Sequence, residues 1–132
     1  MENFKVESFT VEAFYPIYKS WCEKRDFPIL LPENMEEVFI CYRKNTMLYS
    51  CFVWTTKSKI GIIGFPLGNP DIPYKLREGG LSYLIEKISE GLKKRGFTKV
   101  WTTSGTPRVE EALIENEFTL ADPGVNVYIK MM

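Results

Sequence analysis

The chain has 132 residues, of which 17 are basic, 17 are acidic and none is histidine. Its length predicts a single domain over residues 1–132, and its 45% hydrophobic content is ordinary for a folded protein with a core. The lack of histidine excludes a Ser-His-Asp triad, a Cys-His pair and an imidazole metal site. Acid–base chemistry would therefore come from carboxylates, lysine, tyrosine, cysteine or water.

The charge balance and the hydropathy pattern predict a cytoplasmic protein without a nucleic-acid or membrane partner. Zero net charge with mixed signs argues against a nucleic-acid surface, which is usually basic. No apolar run has the length of a membrane span, and the first residues lack the apolar core of a signal peptide. Cys22, Cys41 and Cys51 show no Cys-x-x-Cys spacing, so we expect free structural thiols and no bound metal.

The first part of the chain predicts a strand, a helix and a loop. Apolar and polar residues alternate over Phe4–Ser8, as in a short strand. Thr10 can cap a helix that continues to about Arg25. The apolar face of this helix is formed by residues at helical spacing, Phe14, Ile17, Tyr18 and Trp21. Two prolines predict a loop or a broken helix over Asp26–Asn34.

The next segment predicts an antiparallel meander. Glu37–Arg43 and Met47–Thr56 are rich in β-branched and aromatic residues, which favour strands. The tight connection between them contains Asn45, which can tolerate a positive φ. A third strand is predicted over Lys59–Leu67.

Three residues mark this third strand as irregular. Gly61 and Gly64 indicate a bulge or a close approach of another group to the backbone. Pro66 lacks the N–H donor that a ladder needs, so the strand should open or end near it.

The second half predicts a long helix, a strand, a short helix and a last strand. The long helix runs from about Tyr74 to Arg95, with Gly96 as its C-terminal cap. Its apolar stripe consists of Leu81, Leu84, Ile85, Ile88 and Leu92. A strand over Thr98–Thr103 follows, and Thr106-Pro107 can start a helix that ends near Glu117. Alternation over Val125–Met131 predicts the final strand.

The predicted order is β-α-β-β-β-α-β-α-β, a mixed α/β fold with helices on both faces of a twisted, largely antiparallel sheet. The third meander strand should pair in parallel with the strand near Val100 through a right-handed crossover, which places a parallel pair at the centre of the sheet.

This order resembles the GNAT superfamily of acyl-CoA N-acyltransferases, and most of all its small phage-associated members. The residues that carry the resemblance are the Tyr15–Trp21 helix face, the strand and turn over Lys59–Pro70, and the block that ends in Asn116-Glu117-Phe118. The resemblance covers nearly the whole chain and implies acetyl-CoA as the cosubstrate and an amine as the acceptor.

The resemblance also implies a binding loop for the coenzyme A pyrophosphate, with the pattern Arg/Gln-x-x-Gly-x-Gly/Ala at the start of the long helix. One alignment uses Gly79 but places leucines at the other two positions, and a second uses Lys75 and Gly80 but places Glu78 at the first glycine. Lys75 and Arg77 could supply positive charge to the phosphates. The glycine pair could equally serve only close packing.

In the same family a tyrosine before a Gly-Phe pair on the last helix reprotonates the coenzyme thiolate. Here the pair reads Glu117-Phe118 and the tyrosine position is Leu113, which cannot donate a proton. The catalytic acid and base therefore remain unassigned. Glu37, Glu78 and Asp71 are candidate bases acting through water, although each can also be a solvated surface carboxylate.

The family's oxyanion donors are backbone N–H groups at the bulge, near Phe65 and Leu67 in this sequence, since Pro66 has none to offer. The other side of the opening is expected at Trp101–Ser104, with Ser104 beside the cosubstrate. The meander aromatics Tyr42, Tyr49 and Trp54 could line an acceptor pocket or pack under the first helix.

Two functions follow from these residues. The first is acyl transfer from acetyl-CoA to a small-molecule or protein amine, by a monomer or a homodimer. The second is a catalytically silent GNAT-like domain that binds another protein, in a phage or prophage setting, through an exposed apolar patch.

Overall fold

The computed structural model describes residues 3–121, 128, 130 and 132. The strands are β1 (Phe4–Phe9), β2 (Glu37–Arg43), β3 (Thr46–Thr55), β4 (Ile60–Gly68) and β5 (Lys99–Trp101). The helices are α1 (Val11–Arg25), α2 (Tyr74–Arg77), α3 (Gly80–Lys94) and α4 (Pro107–Glu115), with a 3₁₀ helix at Pro32–Asn34. The strands form a sheet in the order β1-β2-β3-β4-β5.

The pairing of the strands confirms the predicted mixed fold. The three pairs from β1 to β4 are antiparallel, and β4 and β5 are parallel. The crossover between the parallel strands passes through α2 and α3, as expected. The last predicted strand, Val125–Met131, lies outside the described residues.

Helix α1 covers one face of the sheet. It begins where predicted, because the Oγ1 atom of Thr10 accepts a hydrogen bond of 3.2 Å from the N–H of Ala13. The apolar face of α1 packs on side chains of β2, β3 and β4 that are buried almost completely, namely Val38, Ile40, Phe52 and Leu67.

Helices α3 and α4 cover the other face. The predicted stripe of α3, Leu81 to Leu92, is buried against the opposite side chains of β2, β3 and β4. Helix α4 adds Ala112 and Leu113 to this cluster. Removing a methyl-rich side chain from such a core, as in Leu84→Ala, costs about 2–5 kcal/mol of unfolding free energy.

The structure corrects the predicted long helix. Helix α2 ends at Arg77 and α3 begins at Gly80, so the single helix predicted over Tyr74–Arg95 is divided. The break occurs because Glu78 has an extended ψ of 131° and Gly79 adopts φ 87°, and an α-helix contains neither angle. Gly96, also at positive φ, ends the helix where the sequence indicated.

Two smaller expectations also need correction. In the β2–β3 turn it is Lys44, with φ 56°, and not Asn45 that takes the left-handed conformation. Strand β5 has only three residues, Lys99–Trp101, because its pairing with β4 stops at Ile62.

The three cysteines are free and buried, as predicted. In the part of the chain that the structure describes, no cluster of histidine, cysteine and carboxylate side chains could hold a metal ion. None of the helices among these residues is long and apolar enough to cross a membrane.

Candidate functional site

Strands β4 and β5 separate after a short parallel pairing. The paired residues are Ile60–Ile62 on β4 and Lys99–Trp101 on β5, whereas β4 itself continues to Gly68. Over residues 63–68, this edge of β4 has no strand partner among the described residues. We call residues 63–68 the open edge. The sequence predicted an opening between these two strands, and the open edge begins where their pairing stops.

A β-bulge lies within the open edge. Ser50 is opposite Leu67 and Phe52 is opposite Gly64, so both Phe65 and Pro66 lie opposite the single residue Cys51. Phe65 has φ 51°, and 46% of its surface is exposed. An aromatic residue at positive φ is under strain, and such strain is found most often at functional sites.

The two glycines of β4 allow close approach and do not themselves form the bulge. A Cβ on Gly64 would lie 2.8 Å from the Cζ3 atom of Trp54, and one on Gly61 would lie 2.7 Å from Cδ1 of Leu92. The sequence left a bulge and a close approach as alternatives. The structure shows the close approach at the glycines and the bulge directly after Gly64.

Hydrogen bonds at the end of β4 show which groups face the opening. The N–H of Asn69 donates to the carbonyl of Leu48 over 2.9 Å. Because backbone groups alternate in an antiparallel ladder, Leu67 is directed toward β3 and Gly68 toward the open edge. The Nε atom of Arg25 donates to the carbonyl of Gly68 over 2.9 Å, which satisfies that acceptor from α1.

The N-terminus of α3 lies at the end of the β4–α3 connection, residues 69–79. Gly79 provides no side-chain cap, so the N–H groups of the first turn, at Gly80, Leu81 and Ser82, have no capping acceptor. A Cβ on Gly80 would lie 3.1 Å from Cδ2 of Tyr49, which shows that the helix start packs tightly on the sheet. Such an end presents several donors and a partial positive charge to an anion.

Three arginines surround this connection, and we call Arg25, Arg77 and Arg108 the arginine cluster. The Nε atom of Arg77 donates to the carbonyl of Ile72 over 2.9 Å, and its side chain is 7% exposed. The Cζ atom of Arg108 lies 3.4 Å from the ring centre of Tyr74. Among the described residues, none of the three forms an ion pair with a carboxylate.

The charges of the cluster act on one another. Burial, and next the charges of Arg77 and Arg108, lower the pKa of Arg25. Burial raises the pKa of Tyr49, whereas Arg77 opposes that rise. Three like charges without a described acidic partner favour an anion that binds between them, phosphate above all.

Four of the seven residues that the sequence assigned to the cosubstrate lie together around the start of α3. Gly79 and Gly80 form the start of α3, Arg77 is buried directly before them, and Lys75 is exposed on α2. Phe65 stands at the bulge, while the side chain of Leu67 is buried under α1. Ser104 is exposed in the β5–α4 connection, where its Oγ donates to the carbonyl of Thr106 over 3.0 Å.

A third alignment of the glycine pattern escaped the sequence analysis. With Arg77 in the first position, Gly80 and Ser82 fall on the two small positions. The only departure from the pattern is Ser82, where the pattern has glycine or alanine. In this alignment the first small position is Gly80, the residue at which α3 begins. A count from Arg77 instead of Lys75 or Leu76 would have found it.

A second missed residue, Asn116, joins α4 to the first turn of α3. Its Nδ2 atom donates to the Oγ of Ser82 over 3.1 Å and to the carbonyl of Ser82 over 3.0 Å. Arg25 and Arg108 were also missed. Both are far from Gly79 and Gly80 in the sequence, so no local pattern could have linked them to the glycine pair.

The candidate bases differ in position. Glu37 pairs with Arg95 at 3.0 Å, at the C-terminal end of α3 and about 22 Å along the helix from its start. Asp71 pairs with Lys24 at 2.8 Å. Glu78 is exposed and directly precedes Gly79. Leu113, at the family's tyrosine position, is 9% exposed in the core under α3.

The meander aromatics lie on different faces. Tyr49 is 6% exposed on the α3 side, where Arg77 stacks on its ring at 5.1 Å. Tyr42 and Trp54 pack at the margin of the α1 cluster. Of the three, Trp54 extends toward the bulge, with its ring centre 6.0 Å from that of Phe65.

The fold is shared with solved acetyltransferase structures. The aminoglycoside acetyltransferase meta-AAC0020 from an uncultured soil metagenomic sample, in complex with sisomicin, is 14% identical with a TM-score of 0.71, covering 98% of this chain and 97% of its own. Ribosomal-protein-alanine N-acetyltransferase from Brucella melitensis biovar Abortus 2308 is 12% identical with a TM-score of 0.67, covering 98% and 99%.

A further structure of this fold, a predicted acetyltransferase with acetyl-CoA from Clostridium acetobutylicum, is 10% identical with a TM-score of 0.62 and covers 95% of this chain and 96% of its own. No protein-family model and no curated protein matches the sequence. The chain has the fold of the GNAT acetyltransferases.

Proposed function

We propose that the protein transfers an acyl group, in the simplest case acetyl, from a coenzyme A thioester to an amine. The observation that carries this proposal is the uncapped start of α3, which lies among three arginines at the end of the open edge. An anion could bind at the start of α3, and an extended chain joined to it could lie along the open edge. Coenzyme A has that form, with phosphates at one end and a long amide-containing arm.

The phosphates would be held by the start of α3 and by the arginine cluster. The N–H groups of Gly80, Leu81 and Ser82 would donate to the pyrophosphate, and Arg77 and Arg108 would supply charge. Lys75, on the neighbouring helix α2, would add a point charge. The arm would lie along the open edge, where it can pair with backbone groups as a strand would.

The bulge would position the reacting carbonyl. The N–H of Phe65 is the remaining candidate donor to the oxyanion, because Pro66 has none and Leu67 is directed toward β3. Attack by the amine nitrogen forms the C–N bond and breaks the C–S bond. Ser104 would lie on the opposite side of the opening.

Proton transfer would pass through water. The amine loses a proton and the thiolate gains one, and Leu113 can supply neither. Of the three candidate bases, Glu78 is the one that is both near the start of α3 and without a described partner. Its charge would also oppose a phosphate, so we assign it no catalytic role.

A thermal-shift titration with acetyl-CoA tests the proposal. A ligand that binds only the folded state raises the free energy of unfolding, by about 2.7 kcal/mol at a ligand concentration of 100 times Kd. The melting temperature rises as a result. We expect a saturable rise in the wild type that Arg108→Ala reduces. Lys93→Ala is the matched control, because it removes an exposed cation at the far end of α3.

The absence of any shift at millimolar acetyl-CoA would contradict the proposal and favour the silent domain, which the leucine at position 113 already fits. Oligomeric state, a cytoplasmic location and a phage origin stay predictions.

A further inference from the structure

Three aromatic side chains line the α1 face of the sheet beside the opening, and we call Trp54, Phe65 and Trp101 the aromatic row. Trp54 is paired with Ile62 across β3 and β4, and Ile62 is paired with Trp101 across β4 and β5. Paired residues project to the same face, so Trp54, Ile62 and Trp101 lie in line on it, with Ile62 between the two tryptophans. Phe65 meets Trp54 at an interplanar angle of 69°.

Much of this face is accessible. Trp101 is 60% exposed and Phe65 is 46% exposed. Neither Ile62 nor Trp101 belongs to the buried cluster under α1, although Trp54 borders it. Large exposed aromatic surface on one sheet face marks a binding region more often than single exposed side chains do.

No cation–π contact among the described residues involves these three rings. Among the described residues, the arginines and lysines that stack on aromatic rings do so on phenylalanines and tyrosines outside the row, Phe4, Tyr49, Tyr74, Tyr83 and Phe97. Tryptophan is the side chain with the most favourable cation–π energy. An ammonium group and an aromatic body could both bind here.

We infer that the row binds the acceptor, and that the acceptor is a primary amine carried on a flat apolar body, such as an arylalkylamine. This inference rests on the proposed function, because the row adjoins the bulge at which the thioester would be held. Because Phe65 and Trp101 are partly exposed, water can reach an amine bound at the row. The free amine that attack requires is then formed with water as the proton acceptor.

A polycationic acceptor fits the row poorly. It would favour several carboxylates, whereas the residues of the row, Trp54, Phe65 and Trp101, carry none. Glu12 and Glu33 do line a depression between α1 and the 3₁₀ helix. No residue of β4 or β5 lines it, so an amine bound there would not meet the open edge.

The test follows the indole N–H signals of the three tryptophans by NMR during titration with phenethylamine, without acyl donor. We expect the signals of Trp54 and Trp101 to move and that of Trp21, which is 4% exposed, to stay in place. Trp101→Ala should weaken binding about tenfold, while Trp101→Phe should retain it within about threefold. Ile114→Ala, which removes an equally exposed apolar side chain from α4, is the control.

Trp54 and Trp101 signals that do not move at saturating phenethylamine would overturn the inference. Sisomicin that binds as tightly as phenethylamine and causes the same shifts would also overturn it. Unchanged affinity in Trp101→Ala would do the same. Acetyl-CoA binding is measured in parallel. Amine binding without acetyl-CoA binding defeats the proposed function and leaves the amine site standing, whereas the reverse result defeats only the inference.

Discussion

The Nε atom of Arg25 lies 2.9 Å from the carbonyl oxygen of Gly68 and joins the end of α1 to the end of β4. Gly68 is the last residue of the open edge, and its carbonyl faces away from β3. The bond therefore places a partly buried positive charge where the open edge meets the β4–α3 connection. Arg25 is 43 residues away in the sequence, and only the fold brings it to this position.

Replacing Arg25 with methionine keeps the length of the side chain and removes the charge and the donor. We expect acetyl-CoA to bind about tenfold more weakly, which is the scale of one charge-assisted hydrogen bond. Isothermal titration measures this change. Lys24→Met is the control, because Lys24 forms an exposed pair with Asp71. The acetyl-CoA affinity of this variant should stay within about twofold of the wild type. Equal effects of the two substitutions would refute a specific role for Arg25.

Gly79→Ala should destabilise the protein by about 1–2 kcal/mol, since φ 87° is unfavourable for any residue with a Cβ. Acetyl-CoA affinity should fall as well, because the first turn of α3 would shift. Gly91→Ala, inside α3, should have the opposite effect on stability. A Cβ there meets nothing within 4 Å, and stability should rise by about 0.5–1 kcal/mol. Chemical denaturation of both variants distinguishes the effects.

Asn116→Ala should cost about 1–2 kcal/mol of unfolding free energy, because Nδ2 makes hydrogen bonds to Ser82 and to the carbonyl of Ala112. The loss should loosen α4 from the first turn of α3. Hydrogen exchange of the Tyr83 amide, whose N–H donates to the carbonyl of Gly79, is the measurement, with faster exchange expected. Unchanged exchange would show that packing alone holds the two helices together.

The cysteines should be unreactive in the folded protein. Burial raises the pKa of the Cys41 thiol from an ordinary 9.0 to about 12, and it raises the pKa values of Cys22 and Cys51. A thiol reagent at pH 8 should therefore label all three only after denaturation. Rapid labelling of the native protein would contradict this burial.

The same shifts predict alkaline instability. A raised pKa favours the protonated thiol in the folded state, so its contribution to stability is complete below pH 9. It is lost as the pH rises toward 12, because the unfolded chain ionises first. Denaturation midpoints should stay level between pH 8 and about pH 9 and should fall from there to pH 11. Substituting Cys41 with valine should reduce the slope.

Local patterns were sufficient to predict most of the fold. The cap at Thr10, the stripe of α3 and the three-strand meander depend on residues close in sequence, and all were confirmed. The divided helix was missed because Tyr74–Arg77 favours helix, and the break lies in the backbone angles of two residues, Glu78 and Gly79. Periodicity carries no signal for so short a break.

The site was predictable in its backbone and not in its side chains. Phe65, Gly79 and Gly80 are neighbours of a strand end and a helix start, features that a sequence shows directly. Arg25 and Arg108 come from α1 and α4, and their approach to the connection depends on how both helices pack. The aromatic row likewise depends on the register of three strands, which single strand patterns do not determine.

The amide resonances of the protein during titration with coenzyme A test the central claim most directly. We predict that the largest amide shifts occur at residues 79–82 and along residues 63–68. The guanidinium signals of the arginine cluster should shift with them. Shifts confined to the depression between α1 and the 3₁₀ helix, around Glu12 and Glu33, would contradict the account, as would no shift at all.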